Sequence, residues 1–294
     1  MLKFIDPMIP TLAEEAPAGD GWIHEVKYDG YRSQLIIEDG KTRIYTRNGY
    51  DWTAKYWPIA VASHRLPCKS AIIDGEMIVP DAQGVSDFSA LPEAIARQRS
   101  RLVFVAFDLL HLDGVDFRSR PLIERRAELW KLVQPGEGQI QFSAHVEGGG
   151  GQFFAAVDQM GRLEGIVSKK ASSRYRSGPT KNWLKVKCFE ENDYEVAGVL
   201  REPGSAPMAL MVTRSPERRY VGSAVIGLNR EMKERLWRRV QEKSGPAPKG
   251  FKKPAVKWTT PGLVGRVRHL KGEETLRHAT LKDLFDPPDD AGEH

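Results

Sequence analysis

Three charged residues at alternate positions, Glu25, Lys27 and Asp29, break an otherwise apolar stretch and are followed at once by Gly30 and Arg32. On a strand their side chains share one face, and an apolar core does not accept three charges without partners. Taken alone, the pattern fits a solvated edge strand as well as it fits a reactive lysine. Similar interruptions recur at Asp74 and Glu76, at Asp108, at Glu164, and at Lys185 with Lys187. One buried charge is commonly an ion pair, whereas several of both signs on successive strands point to a shared polar pocket. Lys185 and Lys187 alternate with Leu184 and Val186, so both lysines share a face and suit a nucleotide phosphate. Two ammonium groups lower the pKa of a third lysine beside them, which would make Lys27 a nucleophile. Glu76 and Glu164 suit a divalent metal or a ribose hydroxyl. Phe107, beside Asp108, suits stacking on a purine, although core packing accounts for a lone phenylalanine more readily.

These side chains need strands to carry them. Period-two patterning predicts strands over Trp22–Tyr28, Tyr31–Glu38, Thr42–Thr46 and Ala71–Val79, with Asp39-Gly40 a hairpin turn and Asp29-Gly30 a turn or bulge. The apolar run Leu102–Leu110 predicts a buried strand, and 164–169 and 183–187 two more. Helices are expected over 53–65, 87–99, 121–133 and 153–160. Residues 6–21, rich in Pro, Ala and Gly, read as an extended lead-in. The glycine run 148–151 lacks the Gly-Lys-Ser/Thr of a phosphate loop and reads as a helix lead-in. Beyond Lys187 the pattern changes to short strands at 194–200, 208–213, 219–226, 256–259 and 264–270, with one helix at 229–243. That is the pattern of a small β-barrel consistent with an OB-fold.

The charge is uneven. The chain carries +5 overall, but residues 201–282 hold 19 Lys and Arg against 7 Asp and Glu, while 283–294 hold five acids and no Lys or Arg. A basic C-terminal third suits a polyanion such as nucleic acid, although solubility charge would look the same by count. The two cysteines, Cys68 and Cys188, are far apart and suggest neither a metal cluster nor a disulfide framework. The N-terminus has no signal-peptide apolar region, and no apolar run approaches the ~18 residues of a membrane span. A cytoplasmic, monomeric protein is expected.

In order and spacing, the chain resembles the covalent nucleotidyltransferase superfamily, and within it the ATP-dependent DNA ligases of the bacterial non-homologous end-joining type. The nucleophile motif Lys-x-Asp-Gly-x-Arg is met by Lys27, Asp29, Gly30 and Arg32, and Arg-x-Gly by Arg47 and Gly49. Asp74-Gly75-Glu76, Phe107-Asp108, Glu164-Gly165-Ile166-Val167-Ser168-Lys169 and Lys185-Val186-Lys187 follow in the family's order. Leu276-Arg277-His278-Ala279 resembles the last motif, with Ala279 where the family has proline. Gly178-Pro179-Thr180-Lys181 stands where the family often has Gly-Arg-Arg/Lys-Ser, leaving Lys181 as the basic contact. Each motif is weak alone; together and in order they are specific.

The resemblance implies an α+β adenylation domain of antiparallel sheets flanked by helices at 1–188. An OB-fold DNA-binding domain is implied at 189–285 and an acidic disordered tail at 286–294. It implies ATP as AMP donor, Mg²⁺ or Mn²⁺, and nicked duplex DNA as substrate, with Ku and other end-joining proteins as candidate partners near the bacterial nucleoid. It assigns Lys27 as the nucleophile, Glu25 to the adenine edge and Phe107 to the base. Arg32 and Glu76 fall to ribose or nick groups, and Arg47 to the nick phosphate. Glu76 and Glu164 fall to the metal, Lys185 and Lys187 to the α-phosphate, and Arg277 to adenylation. An RNA ligase, a capping guanylyltransferase and a non-catalytic DNA-binding OB module stay open as other readings. So does the choice between a stand-alone ligase and one domain of a larger repair protein.

Overall fold

Alternating apolar positions set the strands, and the continuous apolar runs set which of them are buried. The computed structural model describes residues 1–134, 138–247, 251, 255–272 and 275–285. The tail at 286–294 and part of the Lys/Gly/Pro-rich loop at 244–254 lie outside the described residues. The chain forms two units, Met1–Cys188 and Phe189–His294.

In the first unit β1 (Met8–Leu12) and β2 (Trp22–Val26) precede the hairpin of β3 (Tyr31–Glu38) and β4 (Lys41–Thr46). Then come α1 (Trp57–Ser63), β5 (Ser70–Ile78), α2 (Leu91–Arg97), β6 (Val103–Leu112) and β7 (Val115–Asp116). α3 (Leu122–Val133), β8 (Ile140–Phe142), β9 (Val146–Glu147), α4 (Gly150–Met160), β10 (Gly165–Lys170) and β11 (Gly178–Lys187) complete it. Among the described residues these strands make two sheets, one ordered β1-β11-β10-β2-β9 and the other β4-β3-β5-β6-β7 with β8 on β6.

The core of the second sheet includes Leu35, Ile44, Ile73, Phe104, Leu109 and Leu129, all fully buried. Each such aliphatic side chain contributes roughly 1.5–3 kcal/mol relative to exposure, so the strands that carry the site are rigidly backed. A second cluster, Met8, Ile23, Ile36, Ile72, Leu110 and Trp183, joins side chains of both sheets.

Several expectations are corrected. The sheets are mixed, not antiparallel: β1 runs parallel to β11 and β8 parallel to β6. β1 arises inside the expected lead-in. Pro10 is tolerated there because β1 is an edge strand and its register shifts between Pro10 and Thr11. The helix expected at 53–65 is shortened to α1 because Asp51 and Thr53 side chains are used in a turn. Thr53 Oγ1 donates to Asp51 at 2.6 Å and accepts from Ile44 N–H at 2.9 Å. The helix expected at 87–99 begins only at Leu91, since the Asp87 carboxylate holds a turn by accepting from Ala90 N–H at 3.1 Å. The glycine run opens α4, where a Cβ at Gly150 would lie 2.5 Å from the His24 ring.

In the second unit β12 (Phe189–Leu200), β13 (Met208–Val212) and β14 (Tyr220–Ile226) precede α5 (Arg230–Glu242). β15 (Val256–Trp258), β16 (Val264–Leu270) and β17 (Thr280–Phe285) follow. Asn229 caps α5 by accepting from Met232 N–H at 2.8 Å. Strand pairing runs β12 to β13, β14, β17, β16 and back to β12. The β14–β17 pairing is parallel. Val196, Met211, Leu236, Val267 and Leu281 are among its buried core. Arg230, Lys233, Arg235 and Arg238 are exposed on α5.

Candidate active site

Register brings the charged positions together. Glu25 of β2, Val167 of β10 and Lys185 of β11 stand opposite one another in one row. Two residues along β10, Lys169 stands between Ile23 and Trp183. Two residues the other way, Lys27 N–H donates to the Gly165 carbonyl at 2.8 Å, and Gly165 stands opposite Lys187. Rows two residues apart share a face. Gly165 has φ +142°, and a Cβ there would lie 2.0 Å from the Val186 carbonyl. Only glycine fits, and the central row position between Lys27 and Lys187 therefore carries no side chain.

That face lines a cavity of about 640 Å³, closed on the other side by Arg32 of β3, Glu76 of β5 and Phe107 of β6. Arg47 and Asn48, on the turn after β4, line it as well. Lys27 Nζ contacts Glu164 Oε2, and Lys187 Nζ lies 2.7 Å from Glu164 Oε1. Burial works to raise the Glu164 pKa, but the ammonium groups of Lys27 and Lys187 overcome it and hold the carboxylate below its ordinary value. Burial, then the charges of Lys187 and Lys27, lower Lys185. Lys187 is lowered chiefly by burial. Four cations, Lys27, Lys185, Lys187 and Arg47, thus converge on this face, which suits a polyphosphate.

Deeper in, Glu25 is only 2% exposed. Its Oε1 accepts from Arg126 at 3.0 Å and Lys169 at 2.8 Å, and its Oε2 from Ser143 Oγ at 2.6 Å. Burial favours the protonated form, but Arg126 and Lys169 overcome it and lower the pKa. Phe107 meets Trp183 edge-on at 6.0 Å, and the Lys169 ammonium lies 4.2 Å from the Phe107 ring centroid. Arg32 faces the cavity with its fork already engaged: Nε and Nη2 hold Asp74 at 3.1 and 2.7 Å, and Nη1 donates to the Met8 carbonyl at 2.7 Å.

The family model for the ATP dependent DNA ligase domain matches residues 7–187, more than half of the chain. The chain belongs to the ATP-dependent DNA ligase domain family. It is 35% identical over 240 residues to the multifunctional non-homologous end joining protein LigD of Pseudomonas aeruginosa, a match covering 81% of this chain and 27% of that protein. The chain therefore spans about a quarter of that relative's length. It is 30% identical over 204 residues to the SPbeta prophage-derived DNA ligase-like protein LigB of Bacillus subtilis, covering 68% of this chain and 73% of that protein. Among solved structures, mycobacterial DNA ligase D complexed with ATP and MES is 28% identical, with 96% of this chain and 95% of that chain covered and a TM-score of 0.59.

In this ligase-family chain the cavity gathers Glu25, Lys27, Arg32, Arg47, Glu76, Phe107 and Lys185. Glu164 and Lys187 join through Lys27 rather than by lining it. Lys181 is exposed on β11. Arg277 belongs to the second unit, between β16 and β17, where its carbonyl accepts from Leu270 N–H at 3.1 Å. The expectation that all the strand charges share one pocket fails at Asp74 and Asp108. Asp74 is bound by Arg32 and by the Tyr175 hydroxyl at 2.7 Å. Asp108 is bound by Arg125, with both side chains fully buried. Sequence reasoning passed over Arg126, Ser143 and Lys169 as site residues. The signal for Arg126 was a charged pair, Arg125-Arg126, in a helix whose Leu122 and Leu129 are core.

Among the described residues no group of three His, Cys, Asp or Glu could hold a metal. Two carboxylates, Glu76 and Glu164, face Lys27. That donor set fits a hard cation such as Mg²⁺, which takes its other ligands from phosphates and water.

Glu76 also makes a pH prediction. Without a bound cation, burial pushes its carboxyl up to about 8, despite the opposing charges of Lys27 and Arg32. The folded state thus holds this proton more tightly than the unfolded chain does. Its contribution to stability is complete below about 4.5 and is lost as pH rises through about 8. Glu76→Gln removes the titration. The variant's melting temperature is expected to gain on wild type, on the order of a few °C, as pH is raised across that window. A difference that stays constant with pH in thermal melts would show that Glu76 ionises at its ordinary value.

Proposed function

We propose that this chain is an ATP-dependent DNA ligase that seals nicks bearing 3′-hydroxyl and 5′-phosphate ends in duplex DNA. The observation that carries it is the contact of Lys27 Nζ with Glu164, backed by Lys187, in a cationic cavity that also presents Glu25 and Phe107. The Lys27 amine attacks the ATP α-phosphorus, a P–N bond forms, and the bond to pyrophosphate breaks. The ammonium proton of Lys27 leaves to solvent before attack, and Glu164, which accepts from Lys27 Nζ, orients the amine. The AMP then passes to the 5′-phosphate of the nick, freeing Lys27. The 3′-hydroxyl finally displaces AMP and joins the strand.

Lys185 and Lys187 steady the α-phosphate, Glu25 meets the adenine edge, and Phe107 packs on the base. Arg32 and Glu76 act at ribose or nick groups, Arg47 at the nick phosphate, Lys181 at DNA, and Arg277 in adenylation. Glu76 and Glu164 would hold Mg²⁺ or Mn²⁺, which would supply charge neutralisation at the phosphates.

The second unit is read as an OB-fold DNA-binding domain, supported by its closed circuit of strand pairings and the exposed cations of α5. Non-homologous end joining is the proposed setting, from the name of the Pseudomonas relative, and Ku is a candidate partner in that setting. A cytoplasmic monomer at the bacterial nucleoid is proposed with it. No helix among the described residues is long and apolar enough to cross a membrane.

Incubation with α-labelled ATP and Mg²⁺, followed by nicked duplex, tests the reading. Label should appear first on protein, then on the DNA 5′ end, and leave as AMP while the strand is joined. Labelling by GTP alone, or transfer to RNA alone, would assign the chain to another nucleotidyltransferase.

A further inference from the structure

One guanidinium ties together Glu25 and Phe107, the two groups proposed to meet the base. Arg126, on α3, is buried and does not line the cavity. Its Nη1 donates to Glu25 Oε1 at 3.0 Å and to the Phe107 carbonyl at 2.9 Å. Its Nη2 donates to the Ser143 carbonyl and lies 3.1 Å from His145 Nδ1. The Ser143 hydroxyl in turn donates to Glu25 Oε2 at 2.6 Å. Arg126 therefore sets the distance between the Glu25 carboxylate and the strand that carries the Phe107 ring. A lysine could not repeat this, because a single ammonium has no planar fork.

Glu25 has both oxygens directed by these donors. A carboxylate offers about four acceptor sites and no donor when ionised. Arg126, Lys169 and Ser143 occupy three of them. What remains is an acceptor site on Oε2, and Glu25 lines the cavity. A 6-amino purine presents N–H to such a group. At that position a 6-oxo purine presents the lone pairs of O6, its N–H lying at N1 instead, so the buried acceptor meets another acceptor.

We propose that Arg126, acting with Ser143, is the positioning residue that sets nucleobase selectivity, by fixing Glu25 as an acceptor-only edge that admits a 6-amino purine and rejects a 6-oxo purine. The inference rests on the ligase reading for its nucleotide, but its test does not depend on covalent chemistry. Calorimetric binding of AMP and of IMP is measured on wild type, Arg126→Lys and Ser143→Ala. Wild type should prefer AMP by roughly tenfold or more, the worth of one hydrogen-bonded edge. In both variants the preference should shrink at least threefold, mainly through weaker AMP binding.

A preference unchanged in the variants overturns the proposal. So does a parallel loss of AMP and IMP affinity, which is what a merely structural role would give, or a wild type that does not discriminate. Ser143→Ala removes one hydroxyl and leaves the ion pairs in place, so it carries the test if Arg126→Lys fails to fold. Wild-type protein that discriminates AMP from IMP yet forms no protein–AMP adduct would remove the ligase reading and leave this one standing.

Discussion

Lys27→Ala will form no protein–AMP adduct with ATP and Mg²⁺, yet will still join a nick supplied with its 5′ end already adenylated. The first outcome follows from the proposed chemistry: the P–N bond needs the Lys27 amine, and Lys185 and Lys187 sit on a different strand, β11. Lys187 is bound to Glu164. The second follows from charge balance. Removing Lys27 leaves Glu164 paired with Lys187 at 2.7 Å, so no buried carboxylate is stranded and the cavity keeps its shape. The pre-adenylated nick requires phosphate positioning and no nucleophile from the protein. Gel detection of labelled protein, and denaturing gels of the joined strand, read the two steps separately. A variant that labels as well as wild type would reassign the nucleophile. A variant that labels with nothing and joins nothing, while melting at the wild-type temperature, would give Lys27 a role in the last step as well.

Much of this site was legible because strands have period two. Glu25 and Lys27, and Lys185 and Lys187, could only fall on common faces once their segments were strands. Gly165 was legible as part of a motif, and its φ and the nearby Val186 carbonyl supply the reason. What the sequence could not show was which charge meets which. Asp108 in its apolar run looked like a pocket residue, but its partner Arg125 comes from a helix 17 positions on. Glu25 draws on Arg126 and Ser143, more than 100 positions away, so nothing beside Glu25 in the sequence points to them. β1 was missed for a related reason. A short Pro-containing segment has weak strand character of its own, and it is ordered by parallel pairing with β11, some 170 positions later. Helix starts were misplaced where Asp51 and Asp87 hold turns through their side chains, an option that periodicity does not register.

The Arg125–Asp108 pair is expected to carry a large stability effect in the first unit. Both side chains have zero exposure. The guanidinium holds the carboxylate through Nε and Nη2, each at 2.7 Å, while Nη1 donates to the carbonyls of Arg120 and Ser173 at 2.8 Å. Those bonds anchor α3 to β6 and to the segment after β10. Arg125→Met removes one partner and leaves Asp108 buried with, among the described residues, the Leu109 N–H donating to it at 2.9 Å. Breaking a buried pair in this way costs about 3–5 kcal/mol, because the remaining charge has lost its solvent and its partner. In the double variant Arg125→Met/Asp108→Leu no charge is stranded, and apolar replacement of a whole buried pair is often neutral or stabilising by about 1–4 kcal/mol. The Arg120 and Ser173 carbonyls still lose their donor, so the double variant should recover much of the loss without exceeding wild type. Urea unfolding of the wild type, both single variants and the double variant closes the cycle. Singles and double that destabilise additively would mean the two side chains do not act as a pair. If Asp108→Leu alone abolished protein–AMP formation while the double variant folded and still could not form it, Asp108 would have a part in the chemistry that its position against α3 does not suggest.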